Sequence, residues 1–386
     1  MSEPEVEVSP FLGGPLYRLY RRAGLLRTPL DLVGRRIAVL VAATWLPLFV
    51  LSFTAPAGGV SFLHDLEVQA RFLITLPLFL FAEVSVDDRT RKVLQQFLER
   101  GVVPVEVRPK FEQLLGKTVR WADSRVIEIL LVVFVYTVGH RLWRDQVALG
   151  QATWYAVPTP SGPHYTAAGT WLAYFGVPLF QFLLLRWYVR LFLWFQLLWR
   201  ISRLDLRLDA AHPDHCGGLG FVGNGALGFA PLLFAQGAQL GGVLANRIFH
   251  EGMNLLSFKV EIAGVVVFFM MLFMGPYTVF TPLLIRTKRH GLRVYGGLAH
   301  RYVEQFRHKW IEGRPADSEP LIGSADIQSL ADMGNSFQVV RGMRLVPFAW
   351  MTLAQLALFF LAPILPLTLT VVPLESLLDR LIKSVL

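Results

Sequence analysis

The chain has 386 residues, 54% of them hydrophobic and 17% charged, with a formal net charge of +9 and a mean hydropathy of +0.47. Soluble domains carry about a quarter charged residues, so these values exclude an ordinary soluble protein and point to an integral membrane protein. The single cysteine, Cys216, excludes an intrachain disulfide and suits a reducing compartment.

The first residues run acidic (Glu3, Glu5, Glu7), then Pro/Gly-rich, then basic, without the apolar run and small-residue cleavage site of a secretory signal. Residues 1–36, with Arg18, Arg21, Arg22, Arg27, Arg35 and Arg36, read as a cytosolic segment. Spans one and two fall within 37–86, at 37–53 and 72–86, the second short enough to thin the bilayer. Residues 87–125 read as two amphipathic helices on the cytosolic membrane surface, broken at 101–109. Their apolar faces are Val93, Leu94, Phe97 and Leu98, then Phe111, Leu114 and Leu115.

Spans three to six occupy 126–285. Span three, 126–142, alone lacks proline and holds Glu128 and His140. A polar, aromatic loop at 143–170 leads to span four, 171–199, whose length at ~1.5 Å per residue is about 43 Å, more than a hydrocarbon core. Its end aromatics, Trp171, Tyr174, Trp194 and Trp199, suit interfacial belts.

Span five, 226–247, is Gly/Ala-rich, and the charges around it argue for it. Arg200, Arg203 and Arg207 precede it, while Arg286, Lys288, Arg289 and Arg293 follow span six, 258–285. Both groups share one face only if the chain crosses between them. The GAQLG at 237–241 has the small-xxx-small spacing that lets helices approach closely.

Residues 286–344 read as a cytosolic helical insertion. One stripe holds Val294, Leu298, Tyr302, Phe306 and Trp310; a second helix, capped by Ser324, presents Ile327, Leu330 and Phe337. Residues 345–386 give span seven, interrupted by Pro363 and Pro366, and an amphipathic tail at 373–386 with Leu374, Leu377, Leu378, Leu381 and Ile382 grouped. The expected fold is all-α, a polytopic bundle of about seven spans with cytosolic amphipathic helices. Lys and Arg number 6 in 1–36, 9 in 87–125, 3 in 200–208 and 10 in 286–344, so 28 of 37 share one face. This places the amino end in the cytosol and the carboxyl end outside.

Ionisable groups at membrane depth are the primary site candidates, because each costs about 2.5–3.5 kcal/mol on insertion scales unless paired or wet. Arg186 lies about 22 Å beyond Trp171 along the helix, with Arg190 one turn further on the same face. Glu83 and Glu128 fall near the same ends of spans two and three. The four are expected at one level, as an ion or solute gate. The alternative is that the arginines snorkel and the glutamates cap helix ends. A second set, His140, Arg247, Glu251, Lys259 and Glu261, is expected towards the outer side, in a vestibule or among headgroups. Proline interrupts six of the seven spans, and Gly275-Pro276 falls in span six; such breaks free backbone groups for ions or simply kink the helix.

The loop HPDHCGGLGF at 212–221 offers three readings. His212, Asp214, His215 and Cys216 have zinc-ligand chemistry, yet four ligands within five residues close one tetrahedron poorly. The amides of Gly217, Gly218 and Gly220 suit an anion or lipid headgroup. The plainest reading is a tight re-entry turn in which Asp214 accepts from free amides. Gly218, Gly220 and Gly223 form GxGxxG, but the residues after them enter the membrane, leaving no room for a dinucleotide-binding unit. No catalytic motif is present, no catalytic residue is assigned, and no cofactor is expected unless the loop binds metal.

The HPDHCGGLGF loop, together with GSADIQSLADMGNSF at 323–337, resembles a group of bacterial inner-membrane proteins of uncharacterised activity. The resemblance implies a multi-pass setting in the bacterial cytoplasmic membrane and no activity. The basic stripes at 89–125 and 286–309 need only anionic lipid headgroups as partners, not nucleic acid; a homo-oligomer is compatible with the sequence. Three functions are expected in order: passage of a small ion or solute, a scaffold docking partners on the cytosolic helices, and a membrane-embedded metal- or headgroup-dependent enzyme.

Overall fold

A bilayer core offers no water to backbone N–H and C=O groups, so a crossing chain must close its hydrogen bonds within helices. The computed structural model describes residues 11, 13–25, 32–54, 60–146, 153–159, 162–313 and 325–370. Glu3, Glu5, Glu7, Arg27, the Ser324 cap and the 373–386 tail lie outside the described residues. A short amphipathic helix, α1 (Pro15–Arg22), precedes the first crossing, α2 (Val33–Ser52). Then follow α3 (Leu66–Glu99), α4 (Arg108–Ala122), α5 (Arg125–Arg144), α6 (Ala167–Ile201), α7 (Gly220–Glu251), α8 (Leu255–Glu312), α9 (Ala325–Arg341) and α10 (Trp350–Leu361).

Among the described residues six helices, α2, α3, α5, α6, α7 and α8, are long and apolar enough to cross a membrane. The expected seventh span is not one long helix but two short pieces. Pro363 and Pro366 lack the N–H that would continue α10, so the helix stops at Leu361. A 3-10 turn, Leu365–Thr370, follows and packs against the turn Leu255–Phe258 that opens α8. The result is the multi-pass, all-α bundle expected from the sequence.

Two expected boundaries fall inside continuous helices. The second span does not end at 86: α3 runs on to Glu99, with Val93, Leu94 and Phe97 buried in the bundle. Phe97 packs against Phe111, Phe221 and Phe280. Residues 87–99 are thus the end of a 34-residue helix that tertiary contacts cover, not a separate surface helix. Likewise α8 carries the chain without a loop through Arg286 to Glu312. The helix is longer than the expected span because hydropathy marks the apolar stretch and not where the helix ends.

Prolines 77 and 178 each follow a π-helical turn, Ala70–Thr75 and Leu172–Gly176. The wider turn accommodates the missing donor without breaking the rod. The loop expected at 143–170 contains a small hairpin, β1 (Ala156–Thr159) with β2 (Gly162–Tyr165), in register Ala156↔Tyr165 and Val157↔His164. Strands of four residues, each with a proline, leave too little alternation to read from sequence.

The amino-terminal part, the α3–α4 junction, the 202–219 loop and the α8–α9 hairpin share one end of the bundle, here called the basic face. The β1–β2 hairpin and the turn before α3 lie at the opposite end. There, Val60 pairs with Thr153 in an isolated bridge.

Candidate functional site

The helical periodicity of α3 places Glu83 among its buried positions, together with Phe79, Leu80, Val86 and Asp87. On α6 the same logic buries Arg186 and Arg190, four residues apart, with Leu183 and Trp187. Glu128 occupies the first turn of α5. The structure brings these four side chains together near the basic face. Glu83 Oε1 accepts from Arg186 Nη1 at 2.8 Å and from Arg190 Nη1 at 3.0 Å. Arg186 Nε donates to Glu128 Oε1 at 3.0 Å.

A fifth member is Arg36, in the first turn of α2, whose Nη1 donates to Glu83 Oε2 at 2.8 Å. Reading residues 1–36 as a cytosolic segment hid it. Its signal was the helical stripe it shares with Thr44 and Leu48, all three fully buried. Relative exposures are 0% for Arg36, 4% for Glu83, 7% for Glu128 and 5% for both Arg186 and Arg190, so the arginines do not snorkel to water. Three guanidiniums face two carboxylates. The Tyr20 ring lies 5.7 Å from the Arg36 guanidinium.

The amino-terminal segment closes the layer from the basic face. Leu16 N donates to Glu128 Oε2 at 2.9 Å, and Arg186 Nη2 donates to the Gly13 carbonyl at 3.0 Å. Gly14 N donates to Asp123 Oδ1 at 2.7 Å, and Arg18 Nη1 grips the same carboxylate at 2.8 and 2.9 Å. Phe11 anchors the segment between the rings of Trp194 and Phe229. The hydrogen bond from Gly14, opposed by partial burial and aided by Arg18, holds the Asp123 carboxyl below the usual range. Sequence reasoning missed this segment because its contacts to Glu128 and Arg186 are made by backbone groups, which leave no residue signature.

Towards the opposite end, a cavity of about 500 Å3 is lined by Asp65, Glu67, Arg71, Tyr155, Arg247 and Glu251, among others. Arg71 pairs with Glu67, and Asp65 accepts from Trp154 Nε1 at 3.0 Å and Asn246 Nδ2 at 2.8 Å. Of the second set of candidates, Arg247 and Glu251 line this cavity. His140 stacks on Tyr174, with centroids 5.0 Å apart, and Lys259 and Glu261 are exposed. From Arg71 to Glu83 the helix rises about 18 Å. That interval holds buried Phe72, Leu76, Phe79 and Leu80, with Phe79 stacked on Phe180 at 5.5 Å. Trp187 Nε1 donates to the Phe79 carbonyl at 3.1 Å and ties α6 to α3 there.

The HPDHCGGLGF loop is a tight turn built on Asp214. Its Oδ1 accepts from Cys216 N at 2.8 Å and Gly218 N at 3.1 Å, and its Oδ2 from Gly220 N at 2.8 Å. Burial works to raise the Asp214 pKa, but these three amides, helped by His212, outweigh it and hold the carboxyl low. The amides of Gly218 and Gly220 are therefore taken up internally. His215 sits at φ 54 and Gly217 at φ 65, the left-handed steps that fold the turn. Cys216 is buried and donates to the Val346 carbonyl at 3.2 Å, with burial pushing its thiol pKa up. Arg344 clamps the loop through the carbonyls of His215 and Asp214. Among the described residues no three His, Cys, Asp or Glu side chains are grouped to hold a metal ion. Comparison with protein-family models, curated proteins and solved structures finds no match.

Proposed function

We propose that this chain passes or exchanges a small ion or solute across the bacterial cytoplasmic membrane, with Glu83, Glu128, Arg186 and Arg190, joined by Arg36, as gate or relay. The observation that supports it is the burial of five ionisable side chains on four different crossing helices. A well-packed apolar layer is often as stable as a buried ionic one, so stability alone gives little reason for such a cluster. The polar cavity at the opposite end is then an entry vestibule, the Phe79–Phe180 pair a closed constriction, and the amino-terminal segment a closure on the far side. The distribution of Lys and Arg supports a cytosolic basic face. One guanidinium in excess over carboxylates favours an anion in the layer.

The test is flux into proteoliposomes, with potassium and chloride measured separately, for the native protein, Glu128→Gln and empty vesicles. Protein-dependent flux that changes in a well-folded Glu128→Gln variant is the expected result. No flux of either ion through folded, inserted protein overturns the proposal for these ions.

A second reading rests on the α8–α9 hairpin, which exposes Val294, Leu298, Val303, Ile311 and Ile327 beyond Arg286. Such an apolar surface suits a scaffold or regulator that docks a protein partner. A specific co-purifying protein, lost on Leu298→Glu, would favour it over conduction.

A further inference from the structure

At the basic face, a second cavity of about 560 Å3 lies between the 202–207 turn and the middle of α8. Its lining includes Arg203, Arg207 and Arg286, with Asp205 as the one acidic group. None of the three guanidiniums has an ion-pair or hydrogen-bond partner among the described residues; Arg203 only rests over the Trp199 ring at 5.4 Å. Apart from Ser202 the remaining wall is apolar, including Pro104, Leu206 and Leu283. Three unpaired guanidiniums against one carboxylate is the composition that recognises a phosphate.

This cavity does not end at the headgroup level. Val279, part of its wall, also lines an apolar groove of about 560 Å3 between α6 and α8, bounded by Phe192, Phe195, Phe268 and Met271. The groove exists because the helix changes to a 3-10 turn at Gly275–Phe280, and a side chain on Gly275 would meet nothing within 4 Å. From Met271 to Arg286 the chain rises about 22 Å at ~1.5 Å per residue. Half a bilayer, headgroups included, is about 20–22 Å. Groove and cavity together therefore have the length of one leaflet, apolar at the midplane end and cationic at the surface end.

We propose that this composite site holds one anionic phospholipid, its phosphate among Arg203, Arg207 and Arg286 and an acyl chain in the α6–α8 groove. The inference rests on the membrane-spanning reading of the bundle and not on conduction. A free phosphate would use the arginines alone and leave the groove unexplained. A zwitterionic lipid would fill the groove but bring a cation towards the arginines. The site lies apart from the HPDHCGGLGF loop, whose Gly218 and Gly220 amides are already bonded to Asp214.

The experiment is native mass spectrometry of the purified full chain in detergent, titrated with phosphatidylglycerol, phosphatidylcholine or inorganic phosphate. Two variants accompany it: Arg203→Gln/Arg286→Gln, and Met271→Trp, which fills the exposed groove and leaves the arginines in place. Phosphatidylglycerol should bind at least about tenfold more tightly than phosphatidylcholine, consistent with ~1 kcal/mol per basic residue near a headgroup. Both variants should lose that binding by about tenfold while remaining monodisperse and helical. Equal binding of the two lipids, or retention by the arginine variant, overturns the phosphate assignment. Retention by Met271→Trp, or inorganic phosphate displacing the lipid completely, overturns the groove.

Discussion

Arg186 Nη1 donates to Glu83 Oε1 at 2.8 Å although the two residues lie 103 positions apart. The same guanidinium reaches Glu128 and the Gly13 carbonyl, so it joins α3, α5, α6 and the amino-terminal segment at one point. Removing a carboxylate and removing a guanidinium should then have unequal costs. Glu83→Gln leaves three guanidiniums facing Glu128 alone, and breaking a buried pair from one side costs about 3–5 kcal/mol. Arg190→Gln leaves two charges of each sign and should cost nearer 1.5–3 kcal/mol, the range for a hydrogen bond to a charged group. The double variant should be less damaged than the two single costs added together. Unfolding in detergent measures all three. A Glu83→Gln protein as stable as Arg190→Gln would show that charge balance does not govern the layer.

Gly14 is held at φ 92 and ψ 167, a region that residues with a Cβ avoid at a cost of about 1–3 kcal/mol. A Cβ there would also sit 2.2 Å from Glu128 Oε1. Gly14→Ala should therefore free the segment from the layer, seen as faster hydrogen exchange at residues 13–18. Gly34→Ala, where an added Cβ meets nothing within 4 Å, is the control and should leave exchange unchanged. Equal exchange in both variants would mean that the segment is not held at Gly14.

Depth counting along single helices brought Glu83, Glu128, Arg186 and Arg190 to one level before any contact was known, because a helix converts sequence separation into height. Arg36 escaped because a charge at a span boundary reads as topology, and only the burial phase of α2 shows it turned inward. The outer cavity was half legible: Arg247 and Glu251 were named, whereas Arg71 and its i,i+4 partner Glu67 lie just before the expected second span and were not. Helix ends were least legible, since α3 and α8 continue past the expected span ends on contacts between distant segments.

The GAQLG spacing does correspond to a close helix approach. A Cβ on Gly237 would lie 1.9 Å from the Phe360 carbonyl oxygen, and one on Gly241 would lie 3.3 Å from that of Pro363. Gly237→Ala must push α10 away as a backbone shift, which costs about 1–3 kcal/mol for overpacking. Gly241→Ala needs only a few tenths of an ångström and should cost distinctly less. Thermal unfolding that ranks the two in the reverse order would contradict the packing of α7 on α10.

Asp214 organises its loop with both carboxylate oxygens, and an amide side chain supplies only one acceptor. Asp214→Asn should destabilise the protein by about 1–3 kcal/mol, the cost of leaving a buried donor unsatisfied. It should also raise exchange at Gly218 and Gly220 specifically. His212→Gln, which removes a weaker contributor to the low Asp214 pKa, should do much less. Unprotected amides at those glycines in the native protein would refute this role for the carboxylate.

Docking of the amino-terminal segment should depend on pH through Asp123. Its folded-state pKa is depressed by the Gly14 hydrogen bond, with Arg18 assisting against partial burial, from an ordinary value of about 3.9. A depressed carboxyl contributes its full stabilisation above the free-chain value and loses it as pH falls through the lower folded value. Docking should therefore be constant from neutral pH down to about 5 and weaken below about 4. Anisotropy of a dye on Arg22→Cys, in a Cys216→Ser background, reports the segment's mobility across that range. Asp123→Asn is the discriminating comparison. If Asp123 is the sensor, the substitution removes most of the acid-induced loosening, because a neutral amide oxygen still accepts from Gly14 but no longer titrates. An unchanged profile in Asp123→Asn would show that Asp123 is not the sensor and serves only as an anchor for the Gly14 amide.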